Sequence, residues 1–401
     1  MDVTRFSLAA APAGFAEDPY PWYAALRDAS PVHPLGPQAV LLTRYDDVAA
    51  VYRSAHASSD KQREFGPKFG PGTPLFEHHT TSLVFNDPPL HTRVRRQLVG
   101  ALNQRAIARM EAAVTTLVDG LLDRMFERGP QADLIADFAA QIPVEVIGNL
   151  LDVPREDRGP LRDWSLAILS ALEPAPAPDL LMRGHRAVVD FLAQLEGLVA
   201  ARRAAPGDPE VDVLTRLIQG ERDGERLTTR ELLHNCIFLL NAGHETTTNL
   251  IGNGAHALLT HRDQYERLVA EPALLASAVE ELLRYESPLQ LNNRLSTAPI
   301  ELSDRTVPAG TFLTLGIGAA NRDPARFAAP DRLDIGRRPN LHLAFGHGAH
   351  ACAGMNVARL EARIALGALA RRCPGLRLDG TPERDLRIRF RGFRRLPVCL
   401  A

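Results

Sequence analysis

The sequence predicts a mainly α chain with small β-sheets. Three observations predict it. Between residues 105 and 203 apolar residues recur at three- and four-residue steps, the spacing of one helical face. No proline lies between Pro209 and Pro272, and Thr228 with Glu231 forms a capping box, so a helix can run unbroken from 228 to about Thr260. From Ser287 onward short β-prone runs separated by turn residues take over. A hydrophobic content of 45% supplies a large core for these elements, and the net charge of −2 argues against a nucleic-acid partner.

The elements follow in order. Prolines at 19, 21, 31 and 34 frame a short helix over Trp22 to Asp28. A strand over Ala39 to Thr43 and a helix from Asp46 to about Arg53 come next. Residues 54–90 are rich in Gly, Pro and His and read as irregular; a connection this long is usually functional or mobile. A helix begins near His91, and Arg95 four residues on shares its face. Helices are then predicted over 105–127, 134–151, 155–173 and 181–203, the last two separated by the proline–alanine run 174–178. No repeat of 20–50 residues is visible, which argues against a solenoid. The long helix breaks its own pattern at Leu240 to Asn249, where glycine and three threonines predict a kink or groove. Glu281 and Arg284 lie three apart on a further helix. Strands are predicted over 293–295, 300–302 and 311–317, an irregular stretch from Asn321, and a closing hairpin over 389–398.

The chemistry centres on one cysteine. Cys352 ends a loop with Gly346 and Gly348, and Gly354 lies just beyond it, before the helical pattern of Val357, Leu360, Ile364 and Ala368. At a helix N-terminus the free N–H groups favour an anion, so the Cys352 thiol is expected to ionise readily. The three glycines leave room for a flat ligand against the backbone, with Phe345 as an aromatic neighbour. A zinc site through His347, His350 and Cys352 is the other reading, but no fourth ligand follows nearby and no Cys-x-x-Cys exists. His244-Glu245 starts like a zinc-protease motif and fails, because position 248 is Thr. Neither a phosphate-binding loop nor Gly-x-Gly-x-x-Gly is present, so the chain carries no nucleotide or flavin motif.

The string Phe345-Gly346-x-Gly348-x-His350-x-Cys352-x-Gly354 resembles, position by position, the haem-binding signature of the cytochrome P450 family. Ala242-Gly243-x-Glu245-Thr246 is similar to that family's oxygen-activation motif, Glu281-x-x-Arg284 to its buried ion pair, and His91 with Arg95 to its propionate-binding pair. These motifs run in the family's order across about residues 85 to 360. The resemblance implies a soluble, bacterial-type member: a single domain over 1–401, a helical bundle around haem b (iron protoporphyrin IX) with small sheets. It implies that Cys352 is the proximal iron ligand, and that His91, Arg95, Arg294 and His350 hold the propionates. Ala242, Gly243, Phe345, Gly346 and Gly354 would lie against the ring. Glu245 and Thr246 would relay protons on the distal side, and Arg332, with Arg337 as competitor, would complete the Glu281–Arg284 cluster. The pocket would be walled by loop 54–90, the lid at 165–190, Phe238, Asn241, Gln290, Asn292 and Phe393, which suits a small or medium-sized hydrophobic substrate with one or two polar handles. Val357 and Asn292 depart from the family's usual residues without touching the chemistry.

The expected activity is insertion of one atom of dioxygen into that substrate. Electrons would come from a ferredoxin or flavodoxin with its NAD(P)H-dependent reductase. Arg96, Arg326, Arg338, Arg359 and Arg363 would form the basic docking patch. A haem-thiolate enzyme of the same fold using peroxide or coupling substrates, and a non-enzymatic haem sensor, are the alternatives; the intact Glu245-Thr246 pair argues against the first. The four cysteines suit a reducing cytosol. Met1 to Gly14 does not read as a secretory signal and no apolar run reaches membrane-spanning length, so a cytoplasmic monomer is expected, with no membrane partner.

Overall fold

The computed structural model describes residues 2–102, 104–209, 212–220 and 226–400. Its first part holds α1 (Tyr20–Ala29), β1 (Val32–Gly36), β2 (Ala39–Leu42), α2 (Tyr45–Arg53), β3 (Ala57–Ser58), α3 (Gln62–Phe69), α4 (Pro74–Thr81) and α5 (Leu90–Ala101). The middle is helical apart from β4 (Gln131–Asp133): α6 (Gln104–Arg128), α7 (Gln141–Leu150), α8 (Leu161–Ser170), α9 (Pro178–Ala204), α10 (Val213–Gln219) and α11 (Thr229–Thr260). Then come α12 (Arg262–Ala270), α13 (Leu275–Tyr285), β5 (Leu291–Ser296), β6 (Ile300–Glu301), β7 (Thr306–Val307), β8 (Phe312–Gly316) and the single turn α14 (Ile317–Ala320). After an irregular stretch, α15 (Met355–Arg372) is followed by β9 (Arg377–Leu378), β10 (Glu383–Arg384), β11 (Phe393–Arg395) and β12 (Pro397–Cys399).

The 32-residue α11 is the axis of the molecule. Thr228 caps it: its side chain accepts the Glu231 N–H while the Glu231 carboxylate accepts the Thr228 N–H. Two apolar cores meet along it. Leu232, Leu233, Cys236, Ile237 and Leu240 belong to a core shared with α3–α5 and α8–α10. Leu250, Ile251, Ala255, Ala257 and Leu258 belong to a second core built with α6, α7, α13 and α15. The polar run 241–249 falls on the seam between them. The helix is unbroken there: every residue is α-helical, and the hydroxyls of Thr246 and Thr248 donate back to the Ala242 and His244 carbonyls at 2.7 and 3.0 Å.

The main sheet has the order β1-β2-β8-β5-β3. Strand β5 pairs with β8 antiparallel, Arg294 opposite Leu313, and β3 pairs with β5, Ser58 opposite Leu295. This sheet brings the start of the 54–90 segment beside Arg294.

Two expectations are corrected. Residues 54–90 are not irregular: α3 and α4 form there, because Phe65, Phe69 and Leu75 have apolar neighbours to bury against. No hairpin closes the chain over 389–398. Strand β11 pairs with β10, while β12 lies between β4 and β9, so remote strands supply the partners a local turn would have given.

Candidate active site

The cysteine loop is held by its own backbone. The Cys352 N–H donates to the Phe345 carbonyl at 2.9 Å, and the Gly346 N–H to the Leu343 carbonyl at 2.9 Å. Gly346 and Gly348 have φ of +64° and +73°, a region that disfavours side chains. A Cβ on Gly348 would also lie 2.6 Å from the Tyr52 carbonyl oxygen on α2. Both glycines therefore serve the loop's path. Gly354 is the N-cap of α15, and Phe345 packs under the Arg359 guanidinium, 4.7 Å from its ring centroid.

Helix α15 begins at Met355, three residues past Cys352, with Gly354 as its N-cap. Burial pushes the Cys352 thiol up, against the Gly354 N–H, Arg95 and Arg359, which favour the anion. Ready ionisation of the bare thiol is thus corrected; a bound cation is what would hold the thiolate. Zinc is not that cation: no cluster of three His, Cys, Asp or Glu side chains suited to a metal ion exists among the described residues.

Beside the cysteine lies a group of cations with few counter-charges. His91 on α5 and His350 in the loop face each other with ring centroids 3.9 Å apart. His91 is 3% exposed, yet neither ring nitrogen has a partner. Arg294 on β5 is buried against the Tyr52 ring and donates to the Asn292 side chain at 3.3 Å and the Asn293 carbonyl at 2.8 Å. Arg95 feels Cys352 and both histidines feel Arg95. Burial and these like charges pull the His350 imidazole down to about 3 and lower His91 as well. Buried cations and unpartnered ring nitrogens gathered around one space call for an anionic guest.

The middle of α11 opens on a space of its own. Ala242 is exposed and Gly243 and Thr246 are half-buried, whereas their neighbours His244, Glu245, Thr247 and Thr248 are buried. The Thr246 hydroxyl, donating to its own helix, keeps its lone pairs for that space. Glu245 accepts from Asn249 at 3.1 Å and pairs with Arg387, which also binds Asp385 at 2.7 Å. The sequence reading missed Arg387, which comes from the far end of the chain with no local signal.

Several expected placements change. A Cβ on Gly243 would lie 2.6 Å from the Ile147 side chain, so this glycine lets α7 approach α11 closely. Gln290 is 1% exposed and donates to the Ser287 carbonyl at 2.7 Å and toward the Tyr20 hydroxyl, away from any pocket. Asn292 binds the Tyr52 hydroxyl at 3.2 Å and Arg294, which puts it in the cation cluster. Phe393 packs between His256 and Arg384 in the second core and lines nothing. Phe390 of the same segment, bridged to Leu289, joins the lid-side core instead. Phe238 is half-buried at that core, and Asn241 is buried with its side-chain oxygen unpartnered.

The Glu281–Arg284 pair is fully buried, with contacts of 2.8 and 2.9 Å. Its third member is Arg337, whose Nε donates to both Glu281 oxygens at 3.1 Å. Arg332 contributes only its carbonyl, to Arg284 and Arg337, because its own N–H closes a turn onto Ala329 and leaves the side chain exposed. Arg359 of the expected docking patch is bidentate to Glu280 at 2.7 and 2.8 Å, so part of its charge is already countered.

Comparison with known proteins decides what this arrangement is. The family model described as "Cytochrome P450" matches residues 168–387. The monooxygenase PikC of Streptomyces venezuelae is 39% identical over 96% of this chain and 91% of its own length. The chain belongs to the cytochrome P450 family. The vitamin D(3) 25-hydroxylase of Pseudonocardia autotrophica is likewise 39% identical over 96% of this chain and 94% of that protein. Among solved structures, P450BioI in complex with an acyl carrier protein ligated to hexadec-9Z-enoic acid superposes with a TM-score of 0.90 at 33% identity, covering 97% of this chain and 100% of that one. This P450 is thus a monooxygenase of bacterial type with a haem-thiolate iron cofactor, using dioxygen and a redox partner. The arginines, the unpartnered His91 imidazole and the thiol whose neighbours favour the anion fit that cofactor. No helix among the described residues is long and apolar enough to cross a membrane.

Proposed function

We propose that this P450 inserts one atom of dioxygen into a small or medium-sized hydrophobic substrate, with haem b as cofactor and electrons from a separate ferredoxin or flavodoxin. The group of Arg294, Arg95 and the facing His91 and His350 rings beside Cys352 is the observation that carries it. Cys352 would hold the iron, its sulfur receiving the Gly354 N–H, which tunes the thiolate. His91, Arg95, Arg294 and His350 would bind the propionates by charge-assisted hydrogen bonds. When bound, the haem supplies activation of dioxygen at its iron.

The remaining residues serve protons and substrate. Thr246 presents hydroxyl lone pairs to the open space at the seam and can orient a water there. Glu245, 4% exposed and linked through Arg387 to Asp385, offers a proton route toward the surface. The presence of both Glu245 and Thr246 in the sequence favours the monooxygenase over a peroxide-driven enzyme or a sensor. Phe238, Leu289 and Phe390 give an apolar wall, and the Asn241 amide one polar handle. The hydrophobic ligands named for its relatives, a vitamin D(3) and a long-chain acyl group, agree with such a wall. Arg363 and its neighbours on α15 are offered as part of the docking face for the reductant.

The test is turnover with supplied redox proteins under isotopically labelled dioxygen. Steady NAD(P)H consumption with one labelled oxygen atom in the product is expected. Product lacking the label, or turnover with peroxide alone, overturns the reading. A compound panel scored by the shift of the haem absorption band identifies the substrate.

A further inference from the structure

The chain contains only two lysines, Lys61 and Lys68, and both lie on the flap at α3. Lys61 is 3% exposed, a costly place for an ammonium. Its position is set from two sides. It lies three residues downstream of β3, whose Ser58 pairs with Leu295 on the strand that carries Arg294. Asp87, which accepts the Ser59 N–H at 2.8 Å, ties the same stretch to the start of α5, where His91 stands. Lys61 therefore enters the space shared by Arg294, His91 and His350, and its charge acts on the His350 imidazole as that of Arg294 acts on its own amine.

One carboxylate faces it. Glu64 lies 3.1 Å away, but in a geometry that gives neither the Lys61 Nζ nor the Glu64 Oε2 a hydrogen bond. The other Glu64 oxygen accepts from Asn293 at 3.2 Å. A buried ammonium with three donors and one carboxylate, Glu64, paired with it by charge, set among at least three further cationic or basic groups, has donors left for a second anion.

We propose that Lys61 is a further cofactor-binding residue, donating its ammonium to a haem propionate and so tying flap α3 to the bound cofactor. The inference rests on the haem reading above and adds to it a contact from the flap. Cofactor loading and flap closure then share one ion pair: Glu64 holds Lys61 in place and the propionate completes its hydrogen bonding.

The experiment compares haem with its dipropionate dimethyl ester in wild type, Lys61→Met and Lys61→Arg, reading the rate at which each porphyrin is lost to an excess of an apo-globin scavenger. Methionine fills the same buried space without charge, so folding is kept; arginine keeps the charge. Lys61→Met should lose haem roughly ten- to hundred-fold faster than wild type, the fold-change of a charge-assisted hydrogen bond, and Lys61→Arg should stay near wild type. With the dimethyl ester, which has no carboxylate, the two variants and wild type should lose porphyrin at the same rate. An equal acceleration for both porphyrins would make Lys61 a merely structural residue, and no acceleration for either would remove it from the site; both overturn the proposal. Wild type that binds neither porphyrin would instead overturn the haem reading itself.

Discussion

Two buried ionic groups of this P450 look alike in sequence and differ in structure. Around Glu281 every partner is present: Arg284, Arg337, the Asp334 N–H and the Asn340 amide surround one carboxylate, and Arg284 spends its remaining donors on the Asn321 and Pro330 carbonyls. Around His350 the balance is reversed. Arg294, Arg95, His91 and Lys61 gather there with unpartnered nitrogens on His91 and Lys61. A satisfied buried network holds the fold; an unsatisfied one in which cations outnumber carboxylates is a site prepared for a ligand that brings the missing charge. The first needs no cofactor to be stable, and the second gains its stability when the cofactor arrives.

The comparison can be broken first at the metal. Cys352→Ala should abolish the red-shifted Soret band of the reduced, carbon-monoxide-bound protein, while the Glu281 network keeps the chain folded by circular dichroism. A surviving band would take the iron away from Cys352.

Next in size is the satisfied network. Arg284→Ala leaves the Glu281 carboxylate in a fully buried place, a loss of about 3–5 kcal/mol, and little folded protein should be recovered. Arg337→Ala should cost stability by denaturant unfolding, whereas Arg332→Ala, which removes an exposed side chain, should shift it by only about 0.5 kcal/mol. Equal effects of the two would return Arg332 to the cluster.

A smaller effect is expected on the distal side. Thr246→Ala should keep haem and substrate binding but divert reductant to hydrogen peroxide. Glu245→Gln should slow turnover by roughly 10²–10⁴-fold with a solvent-isotope dependence. Unchanged coupling in both variants would reduce the pair to satisfying the helix.

The smallest expected effect is in the flap. His79 is buried in a box of Phe65, Phe69 and Phe85 with neither nitrogen partnered, and burial draws its imidazole from 6.5 down to about 3. The folded state then stays neutral at this residue while the unfolded chain takes up a proton. Stability is full above pH 6.5 and should fall as pH drops from there toward 3, by up to about 1.4 kcal/mol per pH unit. His79→Phe should flatten that slope in urea unfolding followed across pH. An unchanged slope would assign the acid sensitivity to the neighbouring His78 and His234, which are lowered for the same reason.

Local order carried much of this molecule. Helix periodicity and one capping box were enough to place α11 to within a residue, and the glycine spacing around Cys352 was enough to mark the loop, because backbone path and helix ends depend on neighbours in the chain. The four motifs kept their order for the same reason. Contacts between distant segments were a different matter. Arg337 rather than Arg332 on Glu281, Arg387 on Glu245, Ile147 against Gly243 and the turning-in of Gln290 and Phe393 all depend on which side chains tertiary packing brings within about 4 Å, and no spacing along the chain encodes that. The thiol of Cys352 shows the same division: its residue type and loop were legible in the sequence, but burial, which pushes the thiol up against the Gly354 N–H, Arg95 and Arg359, depends on the tertiary structure.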